Sequence, residues 1–384
     1  MEPQDLVESL AARLGRAVVL YDASLNLVAF SAQDGETDEP RRTIVLARNA
    51  SAAARALIRE SGASRASAPV RIPPYEPTGA RGRVVYAVRH RGHPHGYLTY
   101  IDDAPAETPV PPADAAALDA VHDDLGRALA RRLLRERRAR TRAGRLLDEL
   151  LSDEPSRHQA AEALLDESLI AAAPPYVVAV VRPGLDHRPR ASEVRLAIEE
   201  SLNDLTAFSP RPFPWTMRGD HGVLVVPHDA PTALDRLAAS LQGMVVGASA
   251  PHPTLHETRD GYREALTSAE TARRTRETPL VHWADTGVNR LLVRLPLDRL
   301  TRADLPQAVQ TLLEAGNGLP ETLESYLDHA CDAQATARTL TIHRSTLYYR
   351  LGRIKSLTGA DLTNGTQRLE LHLALKVATL ATLY

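Results

Sequence analysis

Cysteine is all but missing: Cys331 stands alone in the chain, which excludes an intrachain disulfide and a tetrathiolate zinc site. With no second thiol to resolve an oxidised sulfur, Cys331 reads as a helix-packing thiol rather than a redox sensor. Long apolar runs are missing too. No stretch of about 18 apolar residues is available to span a bilayer, and the N-terminus lacks a signal-peptide pattern, so a cytoplasmic protein with no membrane partner is expected. Lysine is scarce, since Lys355 and Lys376 are the only two among 46 basic residues; the arginine excess, beside abundant alanine, is the mark of a high-GC genome rather than of a chemistry. Catalytic fingerprints are lacking as well, with no G-x-G-x-x-G, no Walker loop and no G-x-S-x-G elbow. Serine, histidine and aspartate are plentiful, but nothing in one sequence positions them as a triad, and no cofactor or metal is expected.

What is there supports packed cores, with 43% hydrophobic residues. A chain of 384 residues divides into two to three domains at about 150 residues each. The formal net charge of −2 means little until the charges are located, because the basic excess sits in particular stretches and acids elsewhere balance it.

The N-terminal region opens with a helix from Leu6 to Leu14. A strand over Ala17 to Tyr21, a polar turn at Asp22-Ala23-Ser24 and a strand over Leu27 to Phe30 make a hairpin. A second strand pair, Val84 to Val88 and Tyr97 to Ile101, flanks a turn from His90 to Gly96. The cluster His90, His93 and His95 has the side chains of a transition-metal site, yet glycine and proline place it on a tight turn with no carboxylate or thiolate nearby, where solvated histidines suffice.

Pro109, Pro111 and Pro112 close this region. A long helical pattern then runs from about Ala113 to Leu151, with Leu118, His122, Leu125, Leu129, Arg132, Glu136, Ala139, Ala143, Leu146 and Leu150 at alternating spacings of four and three. That is a coiled-coil-like seam, weakened by Arg132 and Glu136, and dimerisation is its natural reading. Arginines crowd its centre between Arg127 and Arg145 against the lone acid Glu136, so a second nucleic-acid surface stands beside a solvated signalling helix as a reading.

Between about 153 and 283, strands Tyr176 to Val181 and Met244 to Ala248 alternate with helices Ser192 to Leu205, Ala233 to Leu241 and Thr258 to Arg274, as in one α/β domain. The hairpin Arg218-Gly219-Asp220-His221-Gly222-Val223-Leu224-Val225-Val226-Pro227 resembles the signature hairpin of diguanylate cyclases, Gly-Gly-Asp-Glu-Phe before an apolar strand. Arg218, His221 and Gly222 replace a glycine, the acid and the aromatic of that signature. Where a metal-binding aspartate should follow the first strand, the chain reads Arg182-Pro183-Gly184, and a cation cannot help bind Mg²⁺. Phosphoryl transfer depends on such ions, so no cyclase activity is expected.

The C-terminal segment Thr336 to Ile354 holds two helical patterns across a short polar break. Leu327, Ala330, Ala337 and Leu340 are followed by Leu347, Leu351, Ile354 and Thr358 at helical spacing. On the second helix Ser345, Tyr349, Gly352 and Ser356 fall opposite that stripe. His343 or Ser345 can cap it and leave its first amides facing a phosphate, and no acid lies between Asp332 and Asp361. Apolar face, basic flanks and polar outer face are what a recognition helix needs. His343, Arg344, Ser345, Thr346, Tyr348, Tyr349, Arg350, Arg353 and Lys355 are the expected DNA-binding residues, and Leu351 an expected core residue.

This segment, together with Leu319 to Leu327 before it and Asp361-Leu362 and Arg368 to Lys376 after it, resembles the C-terminal helix-turn-helix of the PucR/CdaR family of bacterial transcription regulators. The family usually reads His-Arg-Asn-Thr where this chain has His343-Arg344-Ser345-Thr346, and often has a basic residue at the place of Gly352. Glycine there costs a helix about 1 kcal/mol relative to alanine, and leaves either a close approach of backbone to DNA or plain drift as its reason. The resemblance implies a GAF-like sensor domain at residues 1–112, a connecting and dimerisation helix at 113–152, a degenerate GGDEF-like domain at 153–284, and an all-α C-terminal domain at 285–384 with its core at 319–384. The expected fold is therefore multi-domain α+β. The expected function is transcriptional regulation by a homodimer, or a higher oligomer, that binds double-stranded DNA and answers to a small-molecule effector. A cyclic-dinucleotide-related or nucleotide-binding enzyme with a regulatory tail, and a protein-interaction adaptor, are the alternatives.

Overall fold

Two compact units form, one from residues 1–146, 163–171 and 202–214, the other from 147–162, 172–201 and 215–384. The structure, a computed structural model, describes residues 2–32, 38, 41, 52–152, 156–206, 213–228 and 232–383; position 153, where the third expected domain begins, lies outside them.

In the first unit, α1 (Pro3–Leu14) stops at Gly15, whose φ of 62° suits glycine. Five strands follow: β1 (Val18–Asp22), β2 (Leu27–Phe30), β3 (Val70–Ile72), β4 (Arg83–His90) and β5 (His93–Ile101), with α2 (Ala52–Glu60) between β2 and β3. They pair antiparallel in the order β2-β1-β5-β4-β3. The β4–β5 turn is only Arg91-Gly92, both at positive φ, the geometry that matches the twist of a two-residue hairpin. The strands therefore reach further into the histidine cluster than their sequence signals: His90 pairs with His93 across the turn, and the rings of His90 and His95 lie 6.1 Å apart. Among the described residues, no group of three or more His, Cys, Asp or Glu side chains could hold a metal ion.

The helix α3 (Pro112–Leu150) is as continuous as its sequence pattern, but its seam is used differently from the expectation. Leu118, Val121, Leu125 and Leu129 are buried with Leu6, Val7 and Leu10 of α1 against Val18, Leu20, Val84, Val88, Leu98 and Tyr100 of the sheet. His122 packs edge-on against Tyr86 at 5.3 Å. Close packing is permitted by Gly126, where a Cβ would stand 2.2 Å from the Arg89 carbonyl oxygen. The first half of the seam thus closes this unit's own core, since a helix stripe that meets a sheet face buries the same apolar area it would bury against a partner helix. The opposite sheet face, with Val19, Tyr21, Val85, Ala87 and Tyr97, packs on Ile58 of α2, Ala63 and Ile72.

The second unit holds β6 (Tyr176–Pro183), β7 (Trp215–Arg218), β8 (His221–Pro227), β9 (Met244–Ala248) and β10 (Leu280–His282), ordered β10-β9-β6-β8-β7 with only β10 and β9 parallel. The helices α4 (Arg157–Asp166), α5 (Ala191–Thr206), α6 (Ala233–Ser240) and α7 (Thr258–Thr275) alternate with these strands. After β10 the chain is helical: α8 (Asn289–Leu292), α9 (Gln307–Ala315), α10 (Leu319–Asp328), α11 (Ala333–Thr339), α12 (Arg344–Thr358) and α13 (Gly365–Leu380). Val309 and Leu312 of α9, Leu323 and Leu327 of α10, Ile354 of α12 and Leu371 and Leu375 of α13 form its core. No helix among the described residues is long and apolar enough to cross a membrane.

Candidate nucleic-acid interface

The helical break before α11 is sharper than the periodicity implied. Ala330 and Cys331 have φ of 52° and 67°, so Ala330 lies in a turn rather than on a continuous helix face. Cys331 lies in the same turn, partly buried against the bundle core, with an Arg368 Nη1 3.8 Å from its sulfur; it is a packed thiol, but not one on a helix. Asp332 restarts the helix by accepting the amides of Gln334 at 2.7 Å and Ala335 at 3.2 Å, the N-cap role for which a short acidic side chain is suited. Those bonds hold its carboxyl below the usual carboxylate range.

Thr336 and Ala337 turn α11 inward, and the small Ala337 leaves room for the helix that follows. Leu340 ends α11, Thr341 takes a φ of 54°, and His343 begins α12. The His343 side chain is the cap, its Nδ1 accepting the Ser345 amide at 3.3 Å with the Ser345 hydroxyl 2.7 Å away.

On α12, Leu347 and Ile354 are fully buried. Leu351 is only partly buried at the edge of the core, a smaller share than its place in the stripe implied. Arg344, Ser345, Thr346, Gly352, Arg353, Lys355 and Ser356 are exposed, as are Tyr348 and Tyr349, at 53% and 74%. The Arg344 guanidinium sits 5.6 Å from the Tyr348 ring and donates to its hydroxyl at 3.2 Å. Tyr348 and Tyr349 thus put two large aromatic rings on the outer side of a basic helix, the Tyr348 ring held by Arg344. At Gly352 an added Cβ would meet nothing within 4 Å, so packing within the chain does not require glycine.

Arg350 departs from the expected set. It is half-buried, its Nη1 donates to Thr322 Oγ1 at 3.0 Å, and it lies against Gly318 at the start of α10. Its side chain fastens α12 to α10 instead of joining the outer face. Arg338 on α11 was not among the expected residues, yet it is exposed in the same acid-free window between Asp332 and Asp361, which was the available signal. Behind α12, Lys376 of α13 bridges Glu324 at 3.0 Å and Asp328 at 2.9 Å, and His372 meets Asp328 at 2.8 Å. Burial pushes the Asp328 carboxyl up, but hydrogen bonds from Lys376 and His372 outweigh it and hold the group low.

The cyclase-like hairpin is also occupied by its own side chains. Arg182, at the end of β6, pairs with Glu270 at 3.0 Å and Asp220 at 3.4 Å. His221 bridges Asp220 at 3.0 Å and the Tyr262 hydroxyl at 2.8 Å, and Arg218 lies 5.7 Å from the Tyr262 ring. A side chain at Gly222 would run into Ile198 of α5, 2.3 Å from the new Cβ. The tip of Ile198 thus occupies the space that the aromatic of the signature would take.

Residues 319–377, spanning α10 to α13, match the family described as the PucR C-terminal helix-turn-helix domain. The chain carries a PucR-type helix-turn-helix. Residues 152–271 match the GGDEF-like domain. The chain is 48% identical over 62 residues to the carbohydrate diacid regulator of Escherichia coli (strain K12), covering 16% of each chain. It is 32% identical over 120 residues to the purine catabolism regulatory protein of Bacillus subtilis (strain 168), covering 30% of this chain and 22% of that one. It therefore spans less than a quarter of the length of these curated relatives. Among solved structures, the regulator of polyketide synthase expression from Bifidobacterium adolescentis is 17% identical, with 62% of this chain and 97% of that chain covered and a TM-score of 0.29.

Proposed function

We propose that the protein is a DNA-binding transcriptional regulator, cytoplasmic and homodimeric, whose non-enzymatic N-terminal and central domains control the helix-turn-helix. The observation that carries this reading is the outer face of α12, where a capped N-terminus, exposed arginines and two exposed tyrosines come from a stretch of sequence without acids. Arg344, Arg353 and Lys355, with Arg338 from α11, contact phosphates; Ser345, Thr346, Tyr348 and Tyr349 reach base edges; His343 caps and Arg350 positions the helix. Residues 1–112 serve as a GAF-like sensor, 113–152 as the connecting helix, 153–284 as the GGDEF-like domain and 285–384 as the output domain. The central domain is non-catalytic in this reading, because Arg182, paired with Glu270 and Asp220, stands in the sequence where a metal-binding carboxylate would be needed. Purified protein incubated with GTP and Mg²⁺ is expected to yield no cyclic dinucleotide.

Gel retardation with DNA from upstream of the protein's own gene tests the main reading. Salt-sensitive binding is expected, with two protected half-sites about one helical turn, roughly 34 Å, or a multiple of it apart. Arg344→Ala and Arg353→Ala should each weaken binding across sequences and lower the salt slope by about 1, with melting unchanged. Retention of full affinity in both variants would remove α12 from the interface.

A further inference from the structure

The middle of α3 is uncovered: between Leu129 and Ala143 none of its residues is buried. At about 100° per residue, Arg127, Arg131, Arg135, Arg138, Arg142 and Arg145 fall within an arc of about 80°. That arc is turned away from the stripe of Leu118, Leu125, Leu129, Ala143, Leu146 and Leu150, which is buried. All of these arginines are exposed. At 1.5 Å of rise per residue they form a ladder about 27 Å long.

Its rungs follow one another at intervals of four or three residues, so each arginine has another as its neighbour on the helix surface. Like charges at that spacing destabilise a helix, where opposite charges would support it. Glu136, the only acid between Asp124 and Asp148, falls outside the arc and pairs with Arg132 at 2.8 Å. Near the ends of the ladder, Arg127 pairs with Asp124, and Arg142 with Glu167 at 2.9 Å. Arg131, Arg135, Arg138 and Arg145 have no carboxylate partner among the described residues. Arg131 and Arg135, with Arg132, also line a hollow of about 300 Å³ against Glu2 and the first turn of α1, three cations to one acid.

We propose that this ladder is a second DNA-binding surface, which holds the phosphate backbone of a duplex without reading its bases. A long row of unbalanced cations matches a polyanion whose charges repeat along its length, and it overreaches any single phosphorylated metabolite. A second copy docked through this face would set ladder against ladder, and like charges juxtaposed across an interface are strongly unfavourable. An anionic membrane takes up a helix by an apolar face, and the apolar face of α3 is already buried. Contacts to phosphate position a duplex and carry no sequence information. The inference rests on the DNA-binding reading above and adds to it an affinity that does not depend on the operator.

The test is fluorescence anisotropy of the full chain over a salt series, with one labelled duplex from upstream of its own gene and one of unrelated sequence. Replacing three free rungs together, Arg131→Gln, Arg135→Gln and Arg138→Gln, is expected to weaken binding to both duplexes about tenfold or more. The slope of log K on log salt should shrink by about 2.7, at roughly 0.9 per phosphate contact, with the preference between the duplexes unchanged. The same three positions changed to lysine keep their charge and are expected to bind as the parent does. Neither variant should melt below the parent, since the side chains are exposed. Unchanged affinity and slope in the glutamine variant, or an equal loss in the lysine variant, overturns the assignment; loss of binding to phosphatidylserine vesicles, or of self-association, in that glutamine variant would then identify lipid or a second copy as the partner. Arg344→Ala combined with Arg353→Ala separates the two readings. Full affinity in that variant beside a loss in the glutamine variant refutes the helix-turn-helix reading alone, the reverse refutes the ladder alone, and a parent that binds neither duplex refutes both.

Discussion

Nothing of the chain lies within 4 Å of a side chain built at Gly352, and the position is exposed in mid-helix. Gly352→Ala should therefore stabilise the C-terminal bundle by about 1 kcal/mol through helix propensity alone, read as a raised urea midpoint. A lowered midpoint would mean that the backbone there is not helical in solution. Arg350 and Arg353 show how far identical side chains diverge on one helix. At about 100° per residue, Arg350 falls beside the Leu347–Ile354 stripe, near enough for its stem to be covered and its guanidinium drawn to Thr322; Arg353 falls on the far side and stays in solvent. The wheel carried that distinction, but the acceptor on α10 did not exist until the bundle closed.

Among elements, α12 owes its placement to two residues more than to its whole stripe. Leu347→Ala should cost about 2 to 5 kcal/mol, as emptied leucine sites in cores do, and Leu351→Ala clearly less, since Leu351 is only partly buried; equal losses in chemical denaturation would contradict that ranking. The α10–α13 brace adds a pH dependence. Asp328 is held below its ordinary value, so its contribution is complete above the unfolded pKa of about 3.9 and is lost as pH falls through the lower folded value. In Lys376 burial works downward, but bonds from Asp328 and Glu324 prevail and raise the pKa. Its contribution is present below about 10.4 and lost as pH rises through the folded value. Lys376→Met should flatten both limbs of the stability–pH curve, which thermal melts from pH 3 to 11 would reveal. Long periodic elements were legible in advance: α1, α3, α7 and the strands β1, β6 and β9 lie close to their sequence signals. Three-residue strands such as Val70–Ile72 and Leu280–His282 are too short to display alternation. The α3 seam was legible as a seam but not as to its partner, because apolar spacing states that a face is buried and not what buries it.

Across the whole molecule, the two lysines stand in opposite circumstances. Lys376 is engaged by two carboxylates, while Lys355 is exposed on the face assigned to DNA. Apart from the α-amino group, amine-directed reagents therefore meet one free target in 384 residues. Reductive methylation followed by mass mapping should modify Lys355 quickly and Lys376 slowly, and bound DNA should shield Lys355; unshielded labelling in a retarded complex would move the duplex off α12. A fold that has drawn nearly all of its positive charge from arginine thus has a single addressable amine on the surface proposed to meet DNA, where one reporter dye would register binding without an engineered cysteine.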